Sequence, residues 1–141
     1  MNERGVWLLL KTGMGKRWDA SRHEDKIGIG VPDVSFGCED INGWIELKYI
    51  MEWPVRPTTS VNIPLSPLQK HWLTLRGLHG GNCWLFVRIR DDFLLFSYHR
   101  LGLINGKTKA KLLRICDKSW HGRVDWEEFR SVIVGGGTRI E

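Results

Sequence analysis

Three charged side chains between residues 31 and 49 stand among apolar neighbours, and together they have the chemistry of a metal site. Asp33 lies in the first of two short alternating segments, residues 31–36, and Glu46 and Lys48 lie in the second. A buried charge is costly unless it is paired or binds a metal ion, so charges in such a setting are informative. Two carboxylates beside a lysine can hold a hard divalent cation through oxygen ligands, next to a fixed positive charge.

The elements that must position these charges are two β-strands. In the second segment, alternation puts Glu46 and Lys48 on one face, and both faces are otherwise apolar, which indicates an interior strand of a covered sheet. Pro32 cannot donate to a ladder, so the upstream strand should begin pairing at or after Asp33. A turn through residues 42–43 would make the two strands antiparallel and bring Asp33 near Glu46.

The order of these residues resembles a known nuclease signature. Pro32-Asp33 followed by Glu46-Leu47-Lys48 resembles the PD-(D/E)xK nuclease superfamily, in which Pro-Asp, a variable gap, Asp or Glu, any residue and Lys follow one another. Within it, the chain is most similar to the VRR-NUC and Holliday junction resolvase branch, including small phage members. The resemblance covers about residues 16–98. The further matches are Gly30-Val31 before the Pro-Asp pair and Arg22-His23-Glu24 upstream.

The resemblance implies a fold class and an activity. The expected fold is α/β, with a restriction-endonuclease-like core in which a central mixed β-sheet of about four to five strands is flanked by helices. The expected activity is hydrolysis of phosphodiester bonds in DNA, with Mg²⁺ or Mn²⁺ as cofactor. Asp33 and Glu46 would ligate the metal, and the carbonyl of Leu47 would add an oxygen. Lys48 would orient or help deprotonate the attacking water.

Two further site residues each have a second interpretation. Glu24 would lie near the end of a helix expected over residues 16–25, where the family supplies another acidic ligand, whereas a lone glutamate there is usually a solvated helix carboxylate. Gln69 lies three residues after Ser66, and in similar nucleases a glutamine at the start of the helix after the Lys strand lines the active site. The same spacing is a capping box, in which the glutamine only returns a hydrogen bond to the cap.

Basic side chains outside the signature are candidates for DNA contact. The formal net charge of +5 fits a polyanionic partner, although many basic proteins bind none. Each candidate competes with the commoner alternative of a solvated surface charge. The candidates are His23, Lys26, Arg56, Arg88, Lys107, Lys109 and Lys111.

Size and composition favour one cytoplasmic domain. The 141 residues suffice for a single core over about residues 16–98, followed by a basic stretch and a helix over residues 99–134. Three cysteines without metal-ligand spacing favour reduced thiols. No apolar run approaches the roughly 20 residues needed to span a membrane, and no secretory signal is visible, so we expect no membrane association. Most of the eight tryptophans should pack in the core, while some could stack on bases or line a dimer interface.

The rest of the chain predicts helices, a long loop and a hairpin. Prolines should stiffen a loop over residues 51–65. A well-signalled helix should begin at Pro67, place Leu68, Trp72 and Leu75 on its apolar face, and end near Gly77 or Gly80. Further expected elements are a helix over residues 3–12, hairpin strands over 83–89 and 93–98, and a final helix over 126–134.

These features leave two classes of function open, with DNA as the partner in both. The first is a metal-dependent endonuclease selective for branched or junction DNA, and a homodimer, because cutting a four-way junction on two strands suits a two-fold arrangement of sites. The second is a non-catalytic DNA-binding or assembly module that has kept the fold. A nuclease for flaps, ends or single strands would share the chemistry of the first class, and the motifs do not separate the two. We expect no organic cofactor in any of these cases.

Overall fold

The structure, a computed structural model, describes residues 1–23 and 30–137. Within them, helices and strands follow one another in an α/β arrangement, with short 3₁₀ segments at Gly15–Arg17 and Tyr98–Leu103. The α-helices are α1 (Glu3–Met14), α2 (Pro67–Leu78), α3 (Lys109–Ile115) and α4 (Trp126–Gly135). The strands are β1 (Asp19–Arg22), β2 (Val34–Cys38), β3 (Ile41–Ile50), β4 (Asn82–Ile89), β5 (Asp92–Ser97) and β6 (Lys118–His121).

The strands form one mixed sheet in the order β1-β2-β3-β4-β5-β6. β3 and β4 are parallel, joined by the crossover that contains α2, and the other neighbouring pairs are antiparallel. The α/β class and the mixed sheet agree with the sequence-based expectation, but the sheet has six strands rather than four or five. Both edge strands, β1 and β6, were absent from the expectation, because they depend on ladder partners that local patterns do not reveal.

Of the segment expected to be helical over residues 16–25, the described residues 16–23 are mostly extended, and the prediction was wrong for them. A 3₁₀ turn at Gly15–Arg17 leads into β1, which pairs antiparallel with β2. Trp18 packs on Phe36 of β2, with ring centroids 5.4 Å apart. The helical periodicity of this segment is weak, so the ladder and the aromatic contact decide its conformation. Glu24 and Lys26 lie outside the described residues.

The hairpin of β2 and β3 turns at Glu39 and Asp40, not at residues 42–43. Glu39 adopts a left-handed conformation, with φ of 54°, as tight two-residue hairpin turns require. Gly43 instead lies inside β3, where a side chain would collide with the carbonyl of Asn82 on the parallel neighbour β4. The Asn-Gly dipeptide therefore serves the close approach of two strands rather than a turn.

Helices cover the sheet on both faces. One face packs against α1 and α4 through a core that includes Ile45 and Leu47 of β3. The other face packs against α2, α3 and the segment Tyr98–Leu103, with Trp44 and Ile50 of β3 at its margin. Alternation along β3 therefore puts Glu46 and Lys48 on the α2 face, together with Trp44, as the sequence pattern predicts.

Helix α2 begins as predicted but buries a different face. Ser66 caps it, Pro67 opens it, and it ends at Leu78. Leu68 and Leu75, expected in the core, are 51% and 48% exposed, whereas Leu73 and Gly77 are buried. The reason is that the ring of Tyr98 lies directly against the backbone at Gly77, where any side chain would collide with it. A glycine contact of this kind leaves no trace in hydrophobic periodicity.

The hairpin of β4 and β5 and the final helix α4 confirm the expectations for these regions. Asp125 caps α4 by accepting hydrogen bonds from the backbone N–H groups of Glu127 and Glu128. The first helix, α1, runs two residues beyond its expected end, because Gly13 packs on the ring of Trp126 instead of stopping the helix. Among the described residues, no helix combines the length and apolar character needed to cross a membrane.

Candidate active site

Glu46 and Lys48 form a buried ion pair in the middle of the sheet. Glu46 is 2% exposed and Lys48 7% exposed, and the Lys48 Nζ lies 3.4 Å from Glu46 Oε2. β3 is an interior strand, with β2 hydrogen-bonded on one side and β4 on the other. Its charged side chains therefore have no open sheet edge at which they could reach solvent. Two ions removed from water in this way seldom add stability compared with apolar residues of similar size. The role of the pair therefore depends on the side chains that surround it.

Asp33 is held beside this pair by the backbone. It precedes β2, and the pairing of Val34 with Ile45 places it level with Glu46 on the neighbouring strand. Its Oδ2 accepts a hydrogen bond of 2.9 Å from the N–H of Leu47, the middle residue of the Glu-Leu-Lys triplet. The Pro-Asp and Glu-Leu-Lys motifs, separated in sequence, are thus joined by a direct contact.

Gln69 completes the capping box of α2 and also contacts Glu46. Its Oε1 accepts a hydrogen bond of 3.0 Å from the N–H of Ser66, and its backbone N–H donates to the Ser66 hydroxyl oxygen, which completes the capping box. Its Nε2 donates to Glu46 Oε2 at 3.0 Å. Because the cap occupies the amide oxygen, the amide nitrogen must face the carboxylate. The start of α2 thereby orients a candidate metal ligand.

Gly30 brings the Asp33 segment against the start of α2. It has a φ of 90°, in the left-handed region that favours glycine, and a Cβ here would lie 2.7 Å from the carbonyl oxygen of Leu68. The chain can therefore pass close to the α2 backbone immediately before Pro32 and Asp33. Three separate elements, the segment around Asp33, β3 and α2, meet at the site.

His23 lies at the margin of the same site. Its N–H donates to the carbonyl of Asp33 at 2.7 Å, which extends the β1–β2 ladder by one pair. Its ring nitrogen Nε2 lies 2.7 Å from Ser35 Oγ, and its ring centroid is 5.4 Å from that of Trp44. A histidine in this position can contact a substrate phosphate, and that role stays a prediction.

The described residues fit a hard divalent cation in donor chemistry. They provide two carboxylates, Asp33 and Glu46, at the same level of adjacent strands, and no cluster of three or more His, Cys, Asp or Glu side chains within residues 1–23 and 30–137. Mg²⁺ is commonly held by only one or two protein carboxylates, with water and substrate phosphates completing its shell. The carbonyl of Leu47 and the carboxylate of Glu24, the latter outside the described residues, stay predicted ligands.

The other basic candidates are dispersed. Arg88 lies on the α1 and α4 face of the sheet, opposite Glu46, with its guanidinium 5.0 Å from the ring centroid of Phe93. Arg56 and Lys109 line one shallow pocket with Trp53, where the Lys109 Nζ is 4.9 Å from the indole centroid. Lys107 and Lys111 lie just before and within α3. The structure thus brings only His23 of the described basic candidates next to the carboxylates.

Sequence reasoning missed an aromatic and basic cluster beside the carboxylates. The Trp44 and Trp72 rings meet edge to face at 5.1 Å, and the guanidinium of Arg76 lies 4.6 Å from the Trp72 centroid and 6.0 Å from that of Trp44. One available signal was the spacing of Trp44, two residues before Glu46 on the same face of a strand. The spacing of Trp72 and Arg76 at i and i+4 was another.

The three cysteines take no part in this chemistry. All are buried, and burial raises the pKa of the Cys83 thiol to about 12 against a smaller lowering by Arg76. Burial likewise raises the pKa of Cys38 and of Cys116. A thiol with a raised pKa is mostly protonated at neutral pH, which makes it a poor nucleophile and a poor metal ligand.

Comparisons with known proteins add little to the geometry. No protein-family model matches the chain, and no curated protein sequence does. Among solved structures, the 1.6 Å structure of Archaeoglobus fulgidus Hjc, a Holliday junction resolvase from an archaeal hyperthermophile, aligns with a TM-score of 0.43. The sequence identity is 21%, over 68% of this chain and 69% of that chain. A likeness of this strength does not determine function, which has to be argued from the site.

Proposed function

We propose that this protein is a divalent-metal-dependent endonuclease that hydrolyses phosphodiester bonds in DNA. The observation that carries the proposal is the buried Glu46–Lys48 pair, joined to Asp33 through the N–H of Leu47. Two carboxylates and an ammonium group on one face of adjacent strands are what hydrolysis of a phosphodiester needs from a protein.

The residues that would hold Mg²⁺ or Mn²⁺ are Asp33, Glu46 and the carbonyl of Leu47, with Glu24 as a further candidate. When bound, such an ion supplies Lewis-acid stabilisation of charge on the phosphate oxygens and a more acidic water molecule. The hydrogen bond from Leu47 N–H keeps the Asp33 carboxylate turned toward β3. The hydrogen bond from Gln69 Nε2 keeps the Glu46 carboxylate in one orientation.

Lys48 has two roles in this proposal. Its ammonium group lies 3.4 Å from Glu46 Oε2, and this contact holds the ammonium group at the site. A fixed cation in a site that excludes most water stabilises the negative charge that builds on the phosphorus oxygens. The same group can orient the attacking water toward the phosphorus.

The burial of the pair favours an enzyme over a module that binds DNA without cutting it. Unlike a pair bound to the backbone, two buried charges that contact side chains add little to stability, since apolar residues of similar volume are often as stable or more stable. A charged pair in a strand whose other residues are mostly apolar therefore indicates that the charges are used.

We further propose that the substrate is branched DNA, as for a junction resolvase, and that the enzyme acts as a homodimer. Two symmetry-related sites would allow cuts on two strands of a four-way junction. In this proposal His23 contacts the DNA next to the carboxylates. Contacts with more distant DNA stay predictions for Lys26, Arg56, Lys107, Lys109 and Lys111, and none is assigned to Arg88, which lies on the opposite face of the sheet.

The test is cleavage of labelled four-way junction, flap, duplex and single-stranded DNA in Mg²⁺, Mn²⁺ or EDTA. Wild type should cut at least one substrate with metal and none with EDTA, and Glu46→Gln and Lys48→Met should both lose activity. Glu52→Gln is the matched control, because Glu52 is an exposed carboxylate paired with Arg90 at the surface. Binding without cutting under every condition would contradict the proposal and support the non-catalytic module.

A further inference from the structure

A groove opens beside the candidate active site on the same face of the sheet. Its volume is about 490 Å³, and it runs between the exposed faces of β1 and β2 and the C-terminal half of α2. We call it the aromatic groove, after the indole in its wall. The residues that define it are Ser21, Ser35, Trp44, Arg76 and His79.

The groove and the carboxylates occupy successive rows of one sheet face. Ser21, Ser35 and Trp44 stand side by side across β1, β2 and β3. The next row along the strands holds Asp33 and Glu46, two residues on in each strand. Rows two residues apart are separated by about 7 Å. A DNA strand whose phosphate lies at the carboxylates therefore has a neighbouring nucleotide within reach of the groove.

The side chains at this point suit a flat, polar-edged ring. Trp44 is half-buried and contacts the His23 ring at 5.4 Å and the edge-on Trp72 ring at 5.1 Å, and these contacts restrict its rotation. The planar guanidinium of Arg76 lies over Trp72 and within 6.0 Å of Trp44. Aromatic rings and arginine planes are the surfaces on which nucleic-acid bases stack.

The two serines and an exposed carboxylate add hydrogen-bonding groups around the same space. Ser21 and Ser35 carry hydroxyl groups, and Asp19 lies one row further along β1. Hydroxyls can both donate and accept, and a carboxylate accepts, so the edge of a base can be satisfied here. The volume is within the range of pockets that take a single small ligand, which fits a nucleotide.

We propose that the aromatic groove binds an unpaired nucleobase next to the phosphate that is cut, with stacking on Trp44 and contact to Arg76. A base inside a duplex has both faces covered by its stacked neighbours, so it cannot stack on Trp44 without leaving the helix. The substrate would therefore carry single-stranded nucleotides at the cleavage point, as a flap, gap or open branch point does. This inference rests on the proposed nuclease function, whose substrate it narrows.

The test is binding in EDTA, where no cutting is expected and affinity alone is measured. Fluorescence anisotropy would compare a duplex carrying a five-nucleotide single-stranded gap with the same duplex intact. Trp44→Leu and Arg76→Gln should each weaken binding to the gapped DNA roughly tenfold, a loss typical for one stacked base, and change binding to intact duplex less than twofold. Two variants serve as controls. Trp53→Leu removes an indole from the pocket near α3, and Arg90→Gln removes a guanidinium group from the β4–β5 turn.

A second measurement on the wild-type protein guards against misfolded variants. In ¹H–¹⁵N spectra, pentathymidylate should shift the indole N–H signal of Trp44 and leave that of Trp53 in place. Equal loss of affinity for gapped and intact DNA in Trp44→Leu, or no shift of the Trp44 signal, would overturn the inference. Selective binding of gapped DNA through Trp44 by a protein that never cuts would refute the nuclease proposal and leave the groove assignment standing. Cutting of gapped DNA at an unchanged rate in Trp44→Leu would overturn the groove assignment and leave the nuclease proposal standing.

Discussion

Two ion pairs that are largely shielded from solvent differ in what surrounds them: Glu46–Lys48 is buried and Arg100–Asp117 is partly buried. Arg100 Nε lies 3.1 Å from Asp117 Oδ1, and both partners also bind main-chain groups. Asp117 Oδ2 accepts from the N–H of Ser97, and Arg100 Nη1 donates to the carbonyl of Ile115. This pair joins the end of β5 to the end of α3. Its contacts with the main chain therefore give it a structural role.

The Glu46–Lys48 pair is surrounded by side chains that have chemistry of their own. Glu46 accepts from the amide of Gln69, and its row on the sheet continues to Asp33. Its face leads directly into the aromatic groove. Burial of an ion pair therefore does not by itself indicate function. The identity of its partners does, because a pair bound to the backbone holds the fold, whereas a pair among polar side chains can serve a ligand.

The largest effect that separates the two pairs should come from Glu46→Gln. The change keeps the shape of the side chain and removes the charge, so cleavage should fall roughly 10³-fold, as expected for loss of a group that stabilises the transition state. The free energy of unfolding should also fall, by about 3 kcal/mol, because the Lys48 charge is left buried without its partner, so cleavage is compared where the variant is fully folded. Single-turnover cleavage and urea denaturation measure the two quantities. If Glu46→Gln lost stability but kept full activity, Glu46–Lys48 would be a structural pair and the distinction between the two pairs would be wrong.

Asp117→Ala should lose stability and keep its activity. Removal of one partner leaves the Arg100 charge buried without compensation, which costs about 3 kcal/mol of stability. At a temperature where the variant is fully folded, its cleavage rate should stay within about threefold of wild type, because the pair is not part of the proposed site. Urea denaturation and cleavage assays on the same preparation would check this. A hundredfold loss of rate in folded protein would show that the pair acts on catalysis.

Divalent metal should stabilise the folded protein by binding at the Glu46–Lys48 pair and not at the Arg100–Asp117 pair. At a concentration one hundred times its dissociation constant, Mn²⁺ or Mg²⁺ should raise the free energy of unfolding of wild type by about 2.7 kcal/mol. The same addition should have no effect on Glu46→Gln and should keep its full effect on Asp117→Ala. Denaturation with and without metal gives the answer independently of cleavage. Equal stabilisation of wild type and Glu46→Gln would place the metal elsewhere.

The smallest effects should come from the capping box of α2. Ser66→Ala should lower the free energy of unfolding by about 1 kcal/mol with little effect on rate, because it removes only the cap. Gln69→Glu keeps a residue that the capping box accepts but sets a second carboxylate against Glu46 Oε2. Cleavage by that variant should fall about tenfold at unchanged stability. If both variants behave alike, Gln69 is a cap and nothing more.

Much of the site could be predicted because its signals are local. Alternation alone places Glu46 and Lys48 on one strand face, since side-chain direction in a strand has a period of two whatever the neighbours are. The cap of α2 and its serine-glutamine spacing can be read in the same way. What the capping box could not show is that Gln69 also reaches Glu46, because that contact depends on how α2 packs over the sheet.

The strand, cap and hairpin patterns could be read from the amino-acid sequence alone, and so could the three charged residues that define the candidate site. Tertiary contacts were needed to establish that residues 19–22 form a strand, that the hairpin turns at Glu39 and Asp40, and that α2 buries Leu73 and Gly77 instead of Leu68 and Leu75. The aromatic groove belongs to the same group. Propensity, capping and alternation act within a few residues, whereas ladder partners and packing faces are chosen by contacts between segments far apart in sequence.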